Sequence, residues 1–432
     1  MPNDERFIID GLNLPTEQKF LTGKIAVSGA KNDALPAFAS SLLFRDTLKL
    51  SNVPEISDIT AMAKLLEVLG VKTEPKAGGR WELFSGKSPS ATLEPDIAKH
   101  FRGSVILLGP VLARTGEVIF PHPGGCVIGE RPIDLFLSGF QKMGAEIIES
   151  DHSYALRAPK GLHGAEIFFK HQTVTATETL MMAAVLAQGK TVLKNAAMEP
   201  EVVALGEFLI KAGAKIKGLG SSTIEITGRG GKLLSAAKLT RKIIPDRIEA
   251  GSFVILGALA GKNFTVTNLE PKHLESLTSL LLEMGIKLKI ETSAITILER
   301  ATTLKPINLR THEYPGFPTD LQAPMAVLLT QATGRSAIFE TIFEGRLGYL
   351  ETLKLMGAQA WIHDPHQASL EGPTPLRAQE VTSPDLRAGL AYILAGTIAR
   401  GKTVVHNGHY VDRGYAKIEA KLRGVGVTIS KE

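Results

Sequence analysis

Cysteine is almost absent from this chain: Cys126 is the only one in 432 residues. A lone thiol excludes an internal disulfide framework and fits a reducing compartment. Long apolar runs are missing too. No stretch approaches the ~20 residues that a membrane-crossing helix needs, and Met1-Pro2-Asn3-Asp4-Glu5-Arg6 has no apolar core of signal-peptide type. Charge of one sign is not in large excess. The formal net charge is +5, and the lysines and arginines do not cluster into the stripe that a nucleic acid requires. No Walker-type phosphate loop is present and no Rossmann glycine fingerprint opens a helix. The histidine pairs His363/His366 and His406/His409 have no third ligand in sequence, so they read as surface residues rather than a metal site. These absences predict a cytoplasmic chain that works without metal, cofactor, nucleic acid or membrane.

What is present is ordinary in composition and unusual in rhythm. Hydrophobic residues make up 44% and charged residues 22%, as in soluble globular proteins. The length predicts two or more domains, because single cores rarely grow past ~250–300 residues. Six segments each read as an amphipathic helix, a glycine and a short strand. They are Ala63 to Gly70-Val71, Leu135 to Gly144-Ala145, Ala204 to Gly213-Ala214, Leu274 to Gly285-Ile286, Leu350 to Gly357-Ala358, and Ile418 to Gly426-Val427. The spacing of those glycines is about 70 residues throughout, which marks a repeat. Each glycine stands where a helix ends in the left-handed conformation. Between them an apolar helix runs through a turn such as Gly189-Lys190 or Gly401-Lys402 into a strand. Apolar helices such as 181–187 and 388–398 predict helices buried on most sides with sheets around them.

The expected fold is therefore α/β, with six units divided between two similar domains. The crossovers are expected near Gly29-Ala30 and Ile244-Pro245-Asp246. Domain I then comprises residues 1–30 plus 245–432, and domain II residues 31–244. A ligand site is expected in the cleft between the halves.

Polar residues that break the repeat are the candidates for chemistry. Cys126 sits in Phe120-Pro121-His122-Pro123-Gly124-Gly125-Cys126, a Pro/Gly-rich loop, with Arg131 five residues on. A cationic neighbour and exposure favour the thiolate, whereas a structural cysteine is usually apolar filler inside an element. Ser28-Gly29-Ala30-Lys31-Asn32-Asp33 leads into an apolar helix; small residues and a lysine there suit an anion, or are simply a polar cap. Pro245-Asp246-Arg247-Ile248-Glu249 is either a structural ion-pair network or a substrate clamp. Asp320, just ahead of another apolar helix, is a cap or a base. Arginine near a carboxylate recurs at Glu344/Arg346, Asp385/Arg387 and Asp412/Arg413. Together with Lys31, Arg102, Arg131 and Arg247, these turn cations point to small, multiply anionic substrates.

The motifs Gly29-Ala30-Lys31-Asn32, Pro123-Gly124-Gly125-Cys126, Arg131-Pro132-Ile133-Asp134-Leu135 and Asp412-Arg413-Gly414-Tyr415 resemble those of the UDP-N-acetylglucosamine 1-carboxyvinyltransferases, over essentially the whole chain. The resemblance implies a two-domain inside-out α/β barrel, three repeats per domain, in the EPSP synthase superfamily. It implies phosphoenolpyruvate and UDP-N-acetylglucosamine as substrates, with enolpyruvyl transfer to the sugar 3-hydroxyl and release of phosphate. By the same resemblance Lys31, Asn32, Arg131, Arg387 and Arg413 hold phosphoenolpyruvate. Cys126 is the proton donor to its methylene carbon and the residue that forms a covalent adduct. Asp320 takes the proton of the sugar hydroxyl. Arg102, Arg131, Pro132, Ile133, Asp134, Leu135, His171, Gln172, Thr173, Val174 and Ile342, with Asp320, contact the UDP-sugar.

Four positions depart from the family pattern. His171 replaces a lysine, Met198 an arginine, Ala204 an aspartate and Gly345 an asparagine. All four fall on the nucleotide-sugar side, which opens the alternative of an altered acceptor or a non-catalytic paralogue that binds nucleotide sugar. The sister transferase that acts on shikimate 3-phosphate is a further alternative. Cys126 and the Gly-Ala-Lys-Asn motif argue against it.

Overall fold

The structure is a computed structural model that describes residues 5–14, 19–86, 89–99, 101–122 and 133–432. Among the described residues the chain forms two compact units. One takes the residues up to Ser28 together with Pro245–Glu432, the other those from Gly29 to Ile244.

Among the described residues each unit carries three sheets. Five of the six share one pattern: a short edge strand runs parallel to a longer strand, whose other side pairs antiparallel with a strand that has its own antiparallel neighbour. In the first unit Asn308–Arg310 runs parallel to Gly334–Phe339, which pairs antiparallel with Gln367–Gly372 and through it with Gln359–Asp364. In the second, Glu166–Phe168, Lys190–Lys194, Thr223–Thr227 and Lys215–Lys217 repeat the arrangement. The sixth sheet has the antiparallel strands Glu117–Pro121, Ser153–Arg157 and Glu146–Glu149, with a single parallel bridge from Thr92 to Ile119 where the edge strand would lie. The two chain ends meet in one sheet: Phe7–Asp10 lies antiparallel between Lys402–His406 and Thr428–Lys431.

The periodic glycines act as expected from their chemistry. Gly70, Gly144, Gly213, Gly285, Gly357 and Gly426 all take positive φ, between 87° and 103°. A side chain would be strained there.

The apolar helices lie inside. In the first unit the helices Arg247–Ala260, Gln322–Leu329 and Leu386–Ile398 pack on one another, with buried residues on every side. In the second, Leu108–Thr115 packs on Val174–Leu186, which is buried from Ala176 to Leu186. Their Ala/Gly-rich sequences permit close approach: a Cβ on Gly109 would lie 2.1 Å from the Thr179 carbonyl oxygen. Among the described residues no helix is long and apolar enough to cross a membrane.

Candidate active site

Two groups of charged residues, one per unit, stand out from this apolar interior. In the first unit the group begins with helix starts. Asp246 and Asp385 are N-caps. Asp246 Oδ1 accepts from the amides of Ile248 and Glu249 at 2.8 and 3.0 Å. Asp385 Oδ1 accepts from those of Arg387 and Ala388 at 2.7 and 3.0 Å. The Pro245–Glu249 segment is thus a local network. Buried Glu249 accepts from Lys421 Nζ at 2.5 Å and from the Ser28 amide at 2.6 Å, while Arg247 lies over the Tyr314 ring at 5.7 Å.

Asp320 differs from these caps. It lies in the short 3-10 turn Thr319–Leu321, and no side chain caps the helix Gln322–Leu329 that follows. Its carboxylate is instead flanked by two guanidinium groups: Arg346 Nη2 donates to Oδ1 at 2.8 Å and Arg387 Nη2 to Oδ2 at 3.0 Å. Both arginines are buried (7% and 5% exposed), and Asp320 remains partly open, with a side chain 28% exposed. Arg387 also donates to the Tyr415 hydroxyl at 2.9 Å. Burial alone would lower the Arg387 pKa, but Asp320, Tyr415 and Asp246 outweigh it and raise it, so this cation is fixed. Tyr415 is pushed up, first by its own burial. Such an arrangement can hold an acceptor carboxylate in one orientation beside a polar substrate.

In the second unit Lys31 opens the helix Lys31–Ala39, whose N-cap, Ala30, has no capping side chain. Lys31 Nζ lies 3.4 Å from Asp58 Oδ2 in the first turn of Ser57–Val68. The turn before it needs glycine, because a Cβ on Gly29 would fall 1.8 Å from the Asn52 carbonyl oxygen. Ala30 N donates to Ile244 O at 2.7 Å, and Asp33 Oδ2 accepts from Ile244 N at 2.9 Å. These bonds fix the lysine's backbone. Asp33 Oδ1 also accepts from Arg241, whose guanidinium lies 5.4 Å from the Phe208 ring centroid.

Around Asp33 lie further buried carboxylates. Glu178 sits well above the usual carboxylate range because burial disfavours its charge, reinforced by Glu201 and Asp33. Its Oε1 has no hydrogen-bond partner. An acid with a raised native pKa binds more protons folded than unfolded, so its contribution to stability falls as pH rises past the unfolded value of about 4.3. Glu178→Gln is therefore expected to be more stable than wild type at pH 8, with the difference shrinking towards pH 4.5. Urea denaturation at both pH values checks it, and a variant less stable at pH 8 would contradict it.

The other expected site residues are placed as follows. Asn32 is half-buried beside Lys31. Arg102 opens the turn Arg102–Leu107 and is half-buried. Ile133 and Leu135 are buried, with exposed Asp134 starting the helix Asp134–Lys142. Exposed His171 and half-buried Gln172 and Thr173 precede Val174 at the start of its helix. Ile342 is half-buried, and Arg413 ends the 3-10 turn Gly408–Arg413, half-buried. Cys126, Arg131 and Pro132 lie outside the described residues. The structure brings Asp320 and Arg387 together and adds Arg346, Thr319, Glu340 and Tyr415, which sequence reasoning did not assign to the site. Arg346 and Arg387 are flagged in the sequence by their recurrence beside carboxylates, Arg387 also by the resemblance, and Tyr415 closes the Asp412-Arg413-Gly414-Tyr415 motif; Thr319 and Glu340 had no signal of their own.

The histidine pairs are engaged locally. His363 contacts Ser369 Oγ at 2.9 Å, His366 Nδ1 donates to Glu340 O at 2.8 Å, and His406 lies 2.7 Å from Glu380 Oε1.

Gly345 has φ 75° and open space where a Cβ would be. Asparagine tolerates this left-handed conformation better than other side chains, so the family's residue would fit. Gly345→Asn is expected to change stability by less than ~1 kcal/mol and to leave acceptor affinity within about twofold, the factor that ~0.4 kcal/mol represents. Titration calorimetry with UDP-N-acetylglucosamine, the acceptor that the resemblance implies, tests this, and a large gain in affinity would make Gly345 a real departure.

Comparison with known proteins now places the chain. The family model described as EPSP synthase (3-phosphoshikimate 1-carboxyvinyltransferase) matches residues 15–422. The enolpyruvyl transferase NikO from Streptomyces tendae has the same fold, with a TM-score of 0.88 at 22% identity over 100% of this chain and 99% of its own. The class is thus the EPSP synthase-like α/β transferases. The UDP-N-acetylglucosamine 1-carboxyvinyltransferase of Koribacter versatilis is 44% identical over 414 residues, 95% of this chain and 94% of the relative. That of Solibacter usitatus is 43% identical over 428 residues, 99% of each. The chain belongs to the UDP-N-acetylglucosamine 1-carboxyvinyltransferase family and is a transferase.

Proposed function

We propose that this chain transfers the enolpyruvyl group of phosphoenolpyruvate to the 3-hydroxyl of UDP-N-acetylglucosamine with release of phosphate, the first committed step of peptidoglycan precursor synthesis, in the cytoplasm. The observation that carries the mechanism is the open Asp320 carboxylate between two buried arginines. A carboxylate that caps a helix is committed to amides; this one is oriented by side chains and keeps exposed surface. In this reading Cys126 gives a proton to the methylene carbon of phosphoenolpyruvate, which makes the adjacent carbon electrophilic. The sugar hydroxyl adds to that carbon and Asp320 takes its proton. The tetrahedral ketal then loses phosphate and a methyl proton, which leaves an enolpyruvyl ether. Lys31, Asn32, Arg131 and Arg413 hold the anionic groups of phosphoenolpyruvate. Arg387 joins them, since bonds to Asp320 and Tyr415 use two of its five N–H donors. Arg102, 131–135, 171–174 and Ile342 contact the UDP-sugar. Lys31 belongs to one unit and Asp320 to the other. We read the units as domain I (residues 1–30 plus 245–432) and domain II (31–244).

The finer architecture is part of the same reading: six copies of one unit, three in each half, as an inside-out barrel. The shared strand pattern of five sheets and the parallel Thr92–Ile119 bridge in the sixth support it.

The test is phosphate release from phosphoenolpyruvate, with and without UDP-N-acetylglucosamine, for wild type and Cys126→Ala. Release that depends on the sugar nucleotide and collapses in the variant is expected. A wild type inert with this acceptor and with shikimate 3-phosphate would sink the transferase mechanism and favour a binding paralogue.

A further inference from the structure

Glu340 follows the strand Gly334–Phe339 and is fully buried, and neither substrate contact nor proton transfer has been ascribed to its own side chain. Four donors nevertheless converge on its two oxygens. Oε1 accepts from the amides of Ile342 and Phe343 at 2.7 and 3.1 Å. Oε2 accepts from Thr319 Oγ1 at 2.7 Å and Gln322 Nε2 at 2.8 Å. Its backbone is held as well: Glu340 N donates to His366 O at 2.7 Å and His366 Nδ1 donates to Glu340 O at 2.8 Å.

The two oxygens face different parts of the site. Oε1 shapes the turn that presents Ile342. Oε2 holds Thr319, whose hydroxyl oxygen accepts in turn from Arg346 Nη1 at 2.9 Å, and Arg346 Nη2 is bonded to Asp320. A hydroxyl has one proton to give. Thr319 gives it to Glu340 and so keeps a lone pair for Arg346, which sets the direction of the whole chain. The run Ile342 amide, Glu340, Thr319, Arg346, Asp320 is continuous, and each link is within hydrogen-bond distance. A carboxylate that only terminated its strand would need the amides and not the second pair of donors.

We propose that Glu340 is a positioning residue for the transfer reaction, fixing the Ile342 turn and the Asp320 base relative to one another through a single carboxylate. The proposal rests on the reading above, in which Ile342 contacts the UDP-sugar and Asp320 is the base. Loss of the carboxylate therefore weakens acceptor binding and slows the chemical step together, and leaves phosphoenolpyruvate binding alone.

The experiment is steady-state phosphate release for Glu340→Gln, Thr319→Val and the double variant, with melting temperatures for each. Glu340→Gln preserves volume but turns one acceptor into a donor. We expect kcat to fall ~30-fold and KM for UDP-N-acetylglucosamine to rise ~5-fold, because small misplacements at a base are costly. KM for phosphoenolpyruvate should move less than about twofold. Thr319→Val should lower kcat without raising the acceptor KM, and the double variant should have no lower kcat than the worse single variant. Lower melting temperature with unchanged kcat and both KM values in Glu340→Gln overturns the proposal, as do additive losses of kcat. Should Glu340→Gln not fold, an unchanged kcat in Thr319→Val overturns it instead, and a lowered kcat with unchanged acceptor KM supports it. A wild type that releases no phosphate with this acceptor fails differently: it removes the transferase reading, and the proposal with it.

Discussion

Asp320→Asn is expected to lower kcat/KM for phosphate release by about 10³-fold, within the range that a positioned general base contributes. Asparagine keeps the shape and one acceptor oxygen, so Arg346 and Arg387 retain one good bond between them. The lost property is the capacity to take a proton. The variant should therefore bind UDP-N-acetylglucosamine within a fewfold of wild type and still fail to turn over, a loss in kcat rather than KM. Asp320→Ala should behave worse in a second respect. It leaves two buried guanidinium groups facing each other without a carboxylate, which costs several kcal/mol, as breaking buried pairs does. Comparing melting temperatures of the Asn and Ala variants separates the catalytic from the structural share. If Asp320→Asn keeps kcat within tenfold of wild type, Asp320 is a structural anchor for the two arginines and another group accepts the proton.

Much of the fold was legible because its signals are local. A glycine at a helix end is demanded by the backbone angle of one residue, and all six periodic glycines take that angle. Apolar helices announce burial by composition, and 174–186 and 386–398 are buried along nearly their whole length. Local carboxylate–arginine patterns were misleading for the same reason. Asp246, Asp385 and Asp320 each stand just ahead of an apolar helix, and the first two have an arginine within two residues. Only geometry separates two caps, whose bonds reach two and three residues ahead, from a carboxylate whose partner Arg387 is 67 residues away.

The supporting residues were illegible because their partners are remote. Glu340 reads as one more polar residue at a strand end, and nothing near it in sequence reports Thr319 or Gln322. Asp33 meets Arg241 across 208 residues. The resemblance proposed groups to touch substrate. It did not name those that hold them, since that depends on how strands and helices from separate parts of the chain are placed.

Arg241→Met is expected to destabilise the protein by about 3–5 kcal/mol at neutral pH, the usual cost of removing one partner from a buried ion pair. For a unit of this size that is a fall in melting temperature on the order of 10 °C. Arg241 sits on the short strand Thr240–Lys242, is buried, and bonds Asp33, which is fully inaccessible. Burial already raises the Asp33 pKa; Arg241 is the largest influence holding it down, and Glu201 pushes it up. Without the arginine that pKa rises further. A raised acid binds more protons in the folded state, so stability is lost as pH climbs past the unfolded value of about 3.9. The deficit of Arg241→Met against wild type should thus be smallest near pH 4.5 and grow towards pH 7.5, as read by urea denaturation. Asp33→Asn in the same chain should recover most of the loss at pH 7.5, because no charge is then left buried. A deficit that ignores pH would mean the guanidinium acts by packing on Phe208 and not by charge. The distinction matters for the site, because Asp33 lies two residues from Lys31 and its other oxygen holds the Ile244 amide. If charge is what keeps Asp33 in place, Arg241 indirectly holds the backbone that aims the lysine, and Arg241→Met should also raise KM for phosphoenolpyruvate under conditions where it remains folded.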